Sequence, residues 1–222
     1  MRSTALAPNW SASITSLAHL VKICGVTSVG DAAIVLDAGA DALGVVLAAS
    51  PREVDVERAA AIADFVGERA IRVGVFRGRG DDVIRRALDA VALDAVQLHD
   101  PVSVSLYEEL RERGIAVIAV LAVGATVHDE VDEERADAIL VDGPSPGSGR
   151  AHTWSPLAGR RFRRPLIVAG GLSAANVARV LGETGAWGVD AASGTESSPG
   201  RKDPAAVRDF VQAARRWFER EE

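Results

Sequence analysis

One cysteine in 222 residues cannot close an intramolecular disulfide, so the fold does not depend on an oxidising compartment and the thiol is available for chemistry. Aromatic residues make up only 5%, and the apolar content comes instead from Ala, Val and Leu, the balance of a soluble α/β protein. Positive charge is in deficit. A formal net charge of -6 supplies no general field for nucleic acid or an anionic membrane, although a local anion site is compatible with it. No apolar run approaches the length of a membrane span. The four histidines and the single cysteine show no ligand-like spacing, so no metal is expected. No Pro/Gly/Ser-rich linker interrupts the chain after His19, which argues for one domain over residues 19–222. Met1 to about Ala18 is rich in Ser, Thr and Ala and lacks the apolar stretch of a secretory signal, so it reads as a flexible extension. An organelle-targeting role is the alternative, because no acid occurs before Asp31. A cytoplasmic monomer or homodimer is the resulting expectation.

From His19 onward, short β-branched runs alternate with longer amphipathic segments. The strand candidates are His19 to Cys24, Ala42 to Leu47, Ile71 to Phe76, Ala95 to Leu98, Ala116 to Leu121, Ala138 to Asp142, Leu166 to Ala169 and Trp187 to Ala191. Helical spacing marks Val29 to Ala38, Val56 to Val66, Asp81 to Val91, Val104 to Arg113, Ala174 to Leu181 and Pro204 to Phe218. Val127 to Arg135 and Ser155 to Gly159 hold a turn or two at most. Eight βα units with near-continuous apolar strands predict a parallel sheet closed into a (β/α)8 TIM barrel with outer helices. An open doubly wound sheet is the competing fold, and the absence of Gly-x-Gly-x-x-Gly after the first strand counts against it.

In such a barrel the active site lies at the carboxyl ends of the strands. Period-two geometry in Val21-Lys22-Ile23-Cys24 places Lys22 and Cys24 on one face, inside the barrel, if Val21 and Ile23 face the helices. An ammonium one layer below a thiol favours the thiolate; on residue type alone, an inert buried thiol is the commoner reading. The sixth strand ends in Asp142, a carboxylate at the same rim, or else the cap of a following turn. Gly170-Gly171 after strand seven and Ser193-Gly194 after strand eight bare backbone amides where barrels of this kind bind phosphate. Arg52, in Ser50-Pro51-Arg52, is placed to clamp a carboxylate over the mouth or to sit solvated. His99, in Gln97-Leu98-His99, is a base or a hydrogen-bonding group for a loop carbonyl.

Lys-Ile-Cys-Gly, Ser-Pro-Arg, Val73-Gly74-Val75-Phe76, Gln-Leu-His, Gly147-Ser148-Gly149, Gly170-Gly171-Leu172 and Asp190-Ala191-Ala192-Ser193-Gly194-Thr195-Glu196 fall in order at matching strand ends. Together they resemble phosphoribosylanthranilate isomerase, from about Leu20 to Phe218. The resemblance implies an Amadori rearrangement of N-(5-phosphoribosyl)anthranilate, in tryptophan biosynthesis, with Cys24 as base and Asp142 as acid and without a cofactor. It implies that Arg52 faces the anthranilate carboxylate, that Lys22, Gln97, His99 and Gly149 contact substrate, and that Gly170, Gly171, Ser193 and Gly194 hold its phosphate. The chain departs from the family pattern at Arg150-Ala151-His152-Thr153, where Lys-Thr-Phe-Asp is usual, and at Asp100, where Gly is usual. Those departures keep two alternatives open: a paralogous sugar-phosphate isomerase with a shifted or histidine-pathway substrate, and a non-catalytic phosphate-binding barrel.

Overall fold

The apolar runs become eight parallel strands that close on themselves. In the computed structural model, which describes Ile14, residues 17–122, 134–143, Trp154, Leu157 and 162–221, these are β1 (Leu20–Cys24), β2 (Ala42–Val46), β3 (Ile71–Phe76), β4 (Ala95–Leu98), β5 (Ala116–Ala122), β6 (Ala138–Asp142), β7 (Leu166–Ala169) and β8 (Gly188–Ala191). Each pairs in parallel with the next, and β8 returns to β1. Helices α1 (Val29–Asp37), α2 (Val56–Val66), α3 (Asp81–Ala90), α4 (Val104–Glu112), α5 (Val177–Thr184) and α6 (Pro204–Glu221) are the described members of the outer layer. Observed bounds differ from the sequence expectation by a residue or two for most elements. The larger differences are a later start for α5 and a longer α6. The weak helical segments expected at Val127 to Arg135 and Ser155 to Gly159 lie almost wholly outside the described residues.

Strand alternation sorts the apolar side chains into separate packings. Val21, Ile23, Leu43, Val45, Val96, Ile139 and Val189 face outward and pack with Val35, Ile62, Leu106, Val180 and Phe210 of the helices. Leu20, Ala42, Ile71, Val73, Ala95, Ile118, Leu140 and Ile167 fill the barrel interior. A third, smaller group of Cys24, Val46, Ala48 and Val75 lies at the carboxyl ends of the strands. Among the described residues the interior is thus packed in layers below the carboxyl ends of the strands, as the filling of such barrels requires.

The expectation of a free extension through Ala18 does not hold at its end. Ile14 is buried among the interior residues and Leu17 packs against them, while the Trp187 indole donates to the Leu17 carbonyl at 3.2 Å. Burial of the Ile14 side chain among these interior residues removes apolar surface from water and favours that position. Aspartates at strand starts also staple neighbours: Asp41 accepts from the Val21 amide at 2.7 Å, Asp94 from Arg72 at 2.8 Å and Asp137 from Val117 at 2.8 Å. After β8 the chain forms a short 3-10 turn (Ser193–Thr195) and a hairpin of β9 (Glu196–Ser198) with β10 (Arg201–Lys202), which bears on the site.

Candidate active site

Lys22 and Cys24 point into the barrel, as period two requires, and Lys22 is fully buried. Its ammonium meets Asp190, its register partner on β8, at 2.9 Å. Gly44 of β2 leaves the room for this arrangement: a Cβ there would stand 2.9 Å from Cys24 Sγ and 3.2 Å from Lys22 Nζ. Burial opposes the Lys22 charge, yet Asp190 and Cys24 outweigh it and the ammonium is held above its ordinary pKa. The thiol does not follow the sequence expectation. Burial pushes the Cys24 pKa up, and the pull of Lys22 toward thiolate, opposed by Asp190, does not offset it. The correction is physical: burial penalises the thiolate more than Lys22 favours it, and Asp190, the carboxylate paired with that cation, raises the thiol further.

Asp142 closes β6 on the same cavity. Its Oδ1 accepts the Gly143 amide at 2.9 Å, and Gly170, with φ 95°, lies so close that a Cβ would stand 2.7 Å from that oxygen. Only glycine lets the end of β7 approach the carboxylate at that angle. Burial, and then the Asp190 charge, raise the Asp142 pKa to about 6, the direction expected for an acid in a semi-enclosed site.

Arg52 lies on the cavity wall but is not free. Its Nε and Nη2 donate to the two oxygens of Glu196, each at 2.7 Å. Lys202 adds a second cation to that carboxylate at 3.1 Å and donates to the Cys24 carbonyl at 2.7 Å, with its own amide bound to Asp31 at 2.9 Å. The loops after β1, β2 and β8 are therefore tied through one buried charge network. Glu196 is held below the ordinary carboxylate range, because Arg52 and Lys202 outweigh its burial. Sequence reasoning found Arg52 but missed Lys202 and the pairing role of Glu196, whose partners lie 144 and 6 residues away.

Gln97 and His99 end β4 on one face, and their side-chain nitrogens lie 3.3 Å apart. His99 therefore meets a neighbouring amide rather than the loop carbonyl expected for it. Burial, helped by Arg77, lowers the His99 pKa to about 4, so the imidazole is neutral at pH 7. The buried Gln97 Oε1 has no partner among the described residues. Arg77, immediately after β3, also reaches the cavity; Val73, Val75 and Arg77 share a face, so period two was signal enough to find it.

Cys24, Arg52, Arg77, Gln97, His99, Asp142, Gly170, Gly171 and Ser193 line one cavity at the carboxyl ends of the strands, a concave site with a few convergent polar groups of the kind that takes a small-molecule ligand. Lys22 lies beneath it. Gly194 is not on its wall: a Cβ there would come 1.9 Å from the Leu172 carbonyl, so this glycine lets the β7 and β8 loops touch. Asn176 accepts the Ser173 amide and donates to the Gly171 carbonyl, both at 2.9 Å, which fixes the β7 loop. Gly149 and the changed segment Arg150 to Thr153 lie outside the described residues. Among the described residues no group of His, Cys, Asp and Glu is arranged to hold a metal ion.

A family model described as N-(5'phosphoribosyl)anthranilate (PRA) isomerase matches residues 21–213. N-(5'-phosphoribosyl)anthranilate isomerase of Pelobacter propionicus is 36% identical over 200 residues, covering 88% of this chain and 95% of that one. The phosphoribosyl anthranilate isomerase of Thermotoga maritima superposes with a TM-score of 0.77 at 34% identity, over 89% of this chain and 98% of its own. A structure of the isomerase in complex with reduced 1-(o-carboxyphenylamino)-1-deoxyribulose 5-phosphate aligns with a TM-score of 0.74 at 33% identity, over the same shares of the two chains. Sequence and fold agree along nearly the whole barrel, and this chain belongs to the N-(5'-phosphoribosyl)anthranilate isomerase family.

Proposed function

We propose that this chain converts N-(5-phosphoribosyl)anthranilate to 1-(2-carboxyphenylamino)-1-deoxyribulose 5-phosphate, the isomerisation its family performs in tryptophan biosynthesis, and that Asp142 and Cys24 carry it. Asp142 protonates the furanose ring oxygen, the ring C–O bond breaks, and the anthranilate nitrogen's lone pair forms the Schiff base. Cys24, as thiolate, removes the proton from the adjacent sugar carbon, and the resulting enolamine tautomerises to the ketone. The reaction moves protons and one double bond without net redox change, so acid and base suffice.

One observation carries the reading: a thiol from β1 and a carboxylate from β6 line one cavity whose wall continues into Gly170, Gly171 and Ser193. Those backbone groups supply the phosphate grip. The unpartnered Gln97 Oε1 accepts a sugar hydroxyl, with neutral His99 orienting the amide. Arg52 presents its remaining N–H groups to the anthranilate carboxylate, and Lys22 acts through Cys24 from below. No described helix is long and apolar enough to cross a membrane, which fits a cytoplasmic enzyme acting on a polar substrate.

The test follows the fluorescence loss of phosphoribosylanthranilate with purified protein. Cys24→Ala is expected to lower turnover by about 10²- to 10⁴-fold while ligand binding persists. Binding without turnover by the wild type would instead make the chain a non-catalytic barrel, and efficient use of the histidine-pathway aminoaldose would move it to the neighbouring reaction.

A further inference from the structure

The substrate of the proposed reaction carries an anion at each end, the ribose 5-phosphate and the aryl carboxylate. With the phosphate over β7 and β8, the aryl end extends toward the opposite half of the mouth, because β3 and β4 lie four places around the closed barrel from β7 and β8. The cations near that cavity are not equally available. Lys22 is fully buried and committed to Asp190. Arg52 is tethered at two nitrogens to Glu196, a carboxylate it shares with Lys202 after β8, so two of its donors are committed before a ligand arrives.

Arg77 differs on each count. It follows β3, it is exposed, it lies on the cavity wall, and among the described residues it makes no hydrogen bond or ion pair. Its field reaches both His99 and Asp142 across the mouth. The His99 ring beside it is neutral and does not compete for an anion. We propose that Arg77 is a specificity-determining residue of this protein, whose guanidinium receives the aryl carboxylate as the uncompensated partner to Arg52. A planar fork and a planar carboxylate match for two parallel hydrogen bonds. The inference rests on the activity proposed above.

Steady-state kinetics would compare N-(5-phosphoribosyl)anthranilate with N-(5-phosphoribosyl)aniline, which lacks the carboxylate, on wild type, Arg77→Leu and Arg77→Lys. For Arg77→Leu the ratio of kcat/KM between the two substrates should fall by about 10- to 100-fold, chiefly through KM for the carboxylated substrate, since that contact is made before and during the reaction alike. Arg77→Lys should recover part of the ratio, as it keeps the charge and loses the fork. An unchanged ratio, or an equal loss on both substrates, overturns the assignment while leaving the activity standing. Failure of the wild type to turn over N-(5-phosphoribosyl)anthranilate overturns the activity and this assignment with it.

Discussion

Replacing Asp142 by Asn should cost catalysis and gain stability, and the gain should depend on pH in a way the structure fixes. The carboxyl is raised from 3.8 to about 6, first by burial and then by Asp190. For an acid raised on folding, the penalty is absent below the unfolded value, grows between the two values and is complete above the folded one. A shift of that size corresponds to about 3 kcal/mol. An amide of the same shape keeps the 2.9 Å bond from the Gly143 amide and removes the buried charge. Asp142→Asn is therefore expected to stabilise the protein by about 3 kcal/mol at pH 8, and by about half that at pH 5. In urea unfolding this appears as a pH-dependent shift in midpoint, and in thermal unfolding at pH 8 as a Tm rise of about 6–12 °C. Turnover should fall by about 10²- to 10⁴-fold. A gain equal at both pH values, or a loss at pH 8, refutes the claim that Asp142 is held in a charge-averse site.

Glu196→Gln leaves Arg52 and Lys202 buried against a neutral amide, and should destabilise the fold by about 3–5 kcal/mol at pH 7, measured by urea unfolding. Because the Glu196 pKa is lowered on folding, its contribution is present above the ordinary value and lost as pH falls through the folded one, so the deficit should shrink in acid. Gly44→Ala places a methyl 2.9 Å from Cys24 Sγ and must displace the thiol by a few tenths of an ångström. It should lower kcat/KM by about 10-fold or more with a stability cost of about 1–3 kcal/mol; unchanged turnover would show that the thiol's position is not critical.

What the sequence discloses depends on how far apart the cooperating residues lie. Lys22 and Cys24 are two residues apart in one strand, so alternation alone turns both inward, and Val73, Val75 and Arg77 yield to the same rule. Asp142 and Gly170 are legible as strand ends, which the barrel brings to one rim. The Arg52–Glu196–Lys202 network is not legible in this way. It joins the loop after β2 to a hairpin 144 residues later, and exists only because β8 closes against β1. Ile14 is a similar case, since nothing in a Ser/Thr/Ala-rich segment announces that one isoleucine seals the lower interior.

The sign of the Cys24 shift shows a different limit, and it bears on the chemistry. A neighbouring lysine reads as thiolate-stabilising, but the sequence does not reveal that Asp190 already occupies that lysine. With the thiol raised and the carboxyl near 6, the free site at pH 7 to 8 holds a thiol and a carboxylate. Ring opening followed by deprotonation needs the reverse, a carboxylic acid and a thiolate. The proton count of the two states is the same, so the reactive form is a tautomer of the resting site rather than a different ionisation. A substrate bearing a phosphate and a carboxylate adds negative charge beside Asp142 and favours its protonation, while the thiolate left behind gains from Lys22 and Lys202, both of which lower the Cys24 pKa. On the proposed mechanism, substrate binding thus moves one proton from the thiol to the carboxylate at constant total charge, against the order of the two pKa values in the free site, so the bound substrate must supply the electrostatic difference that reverses that order.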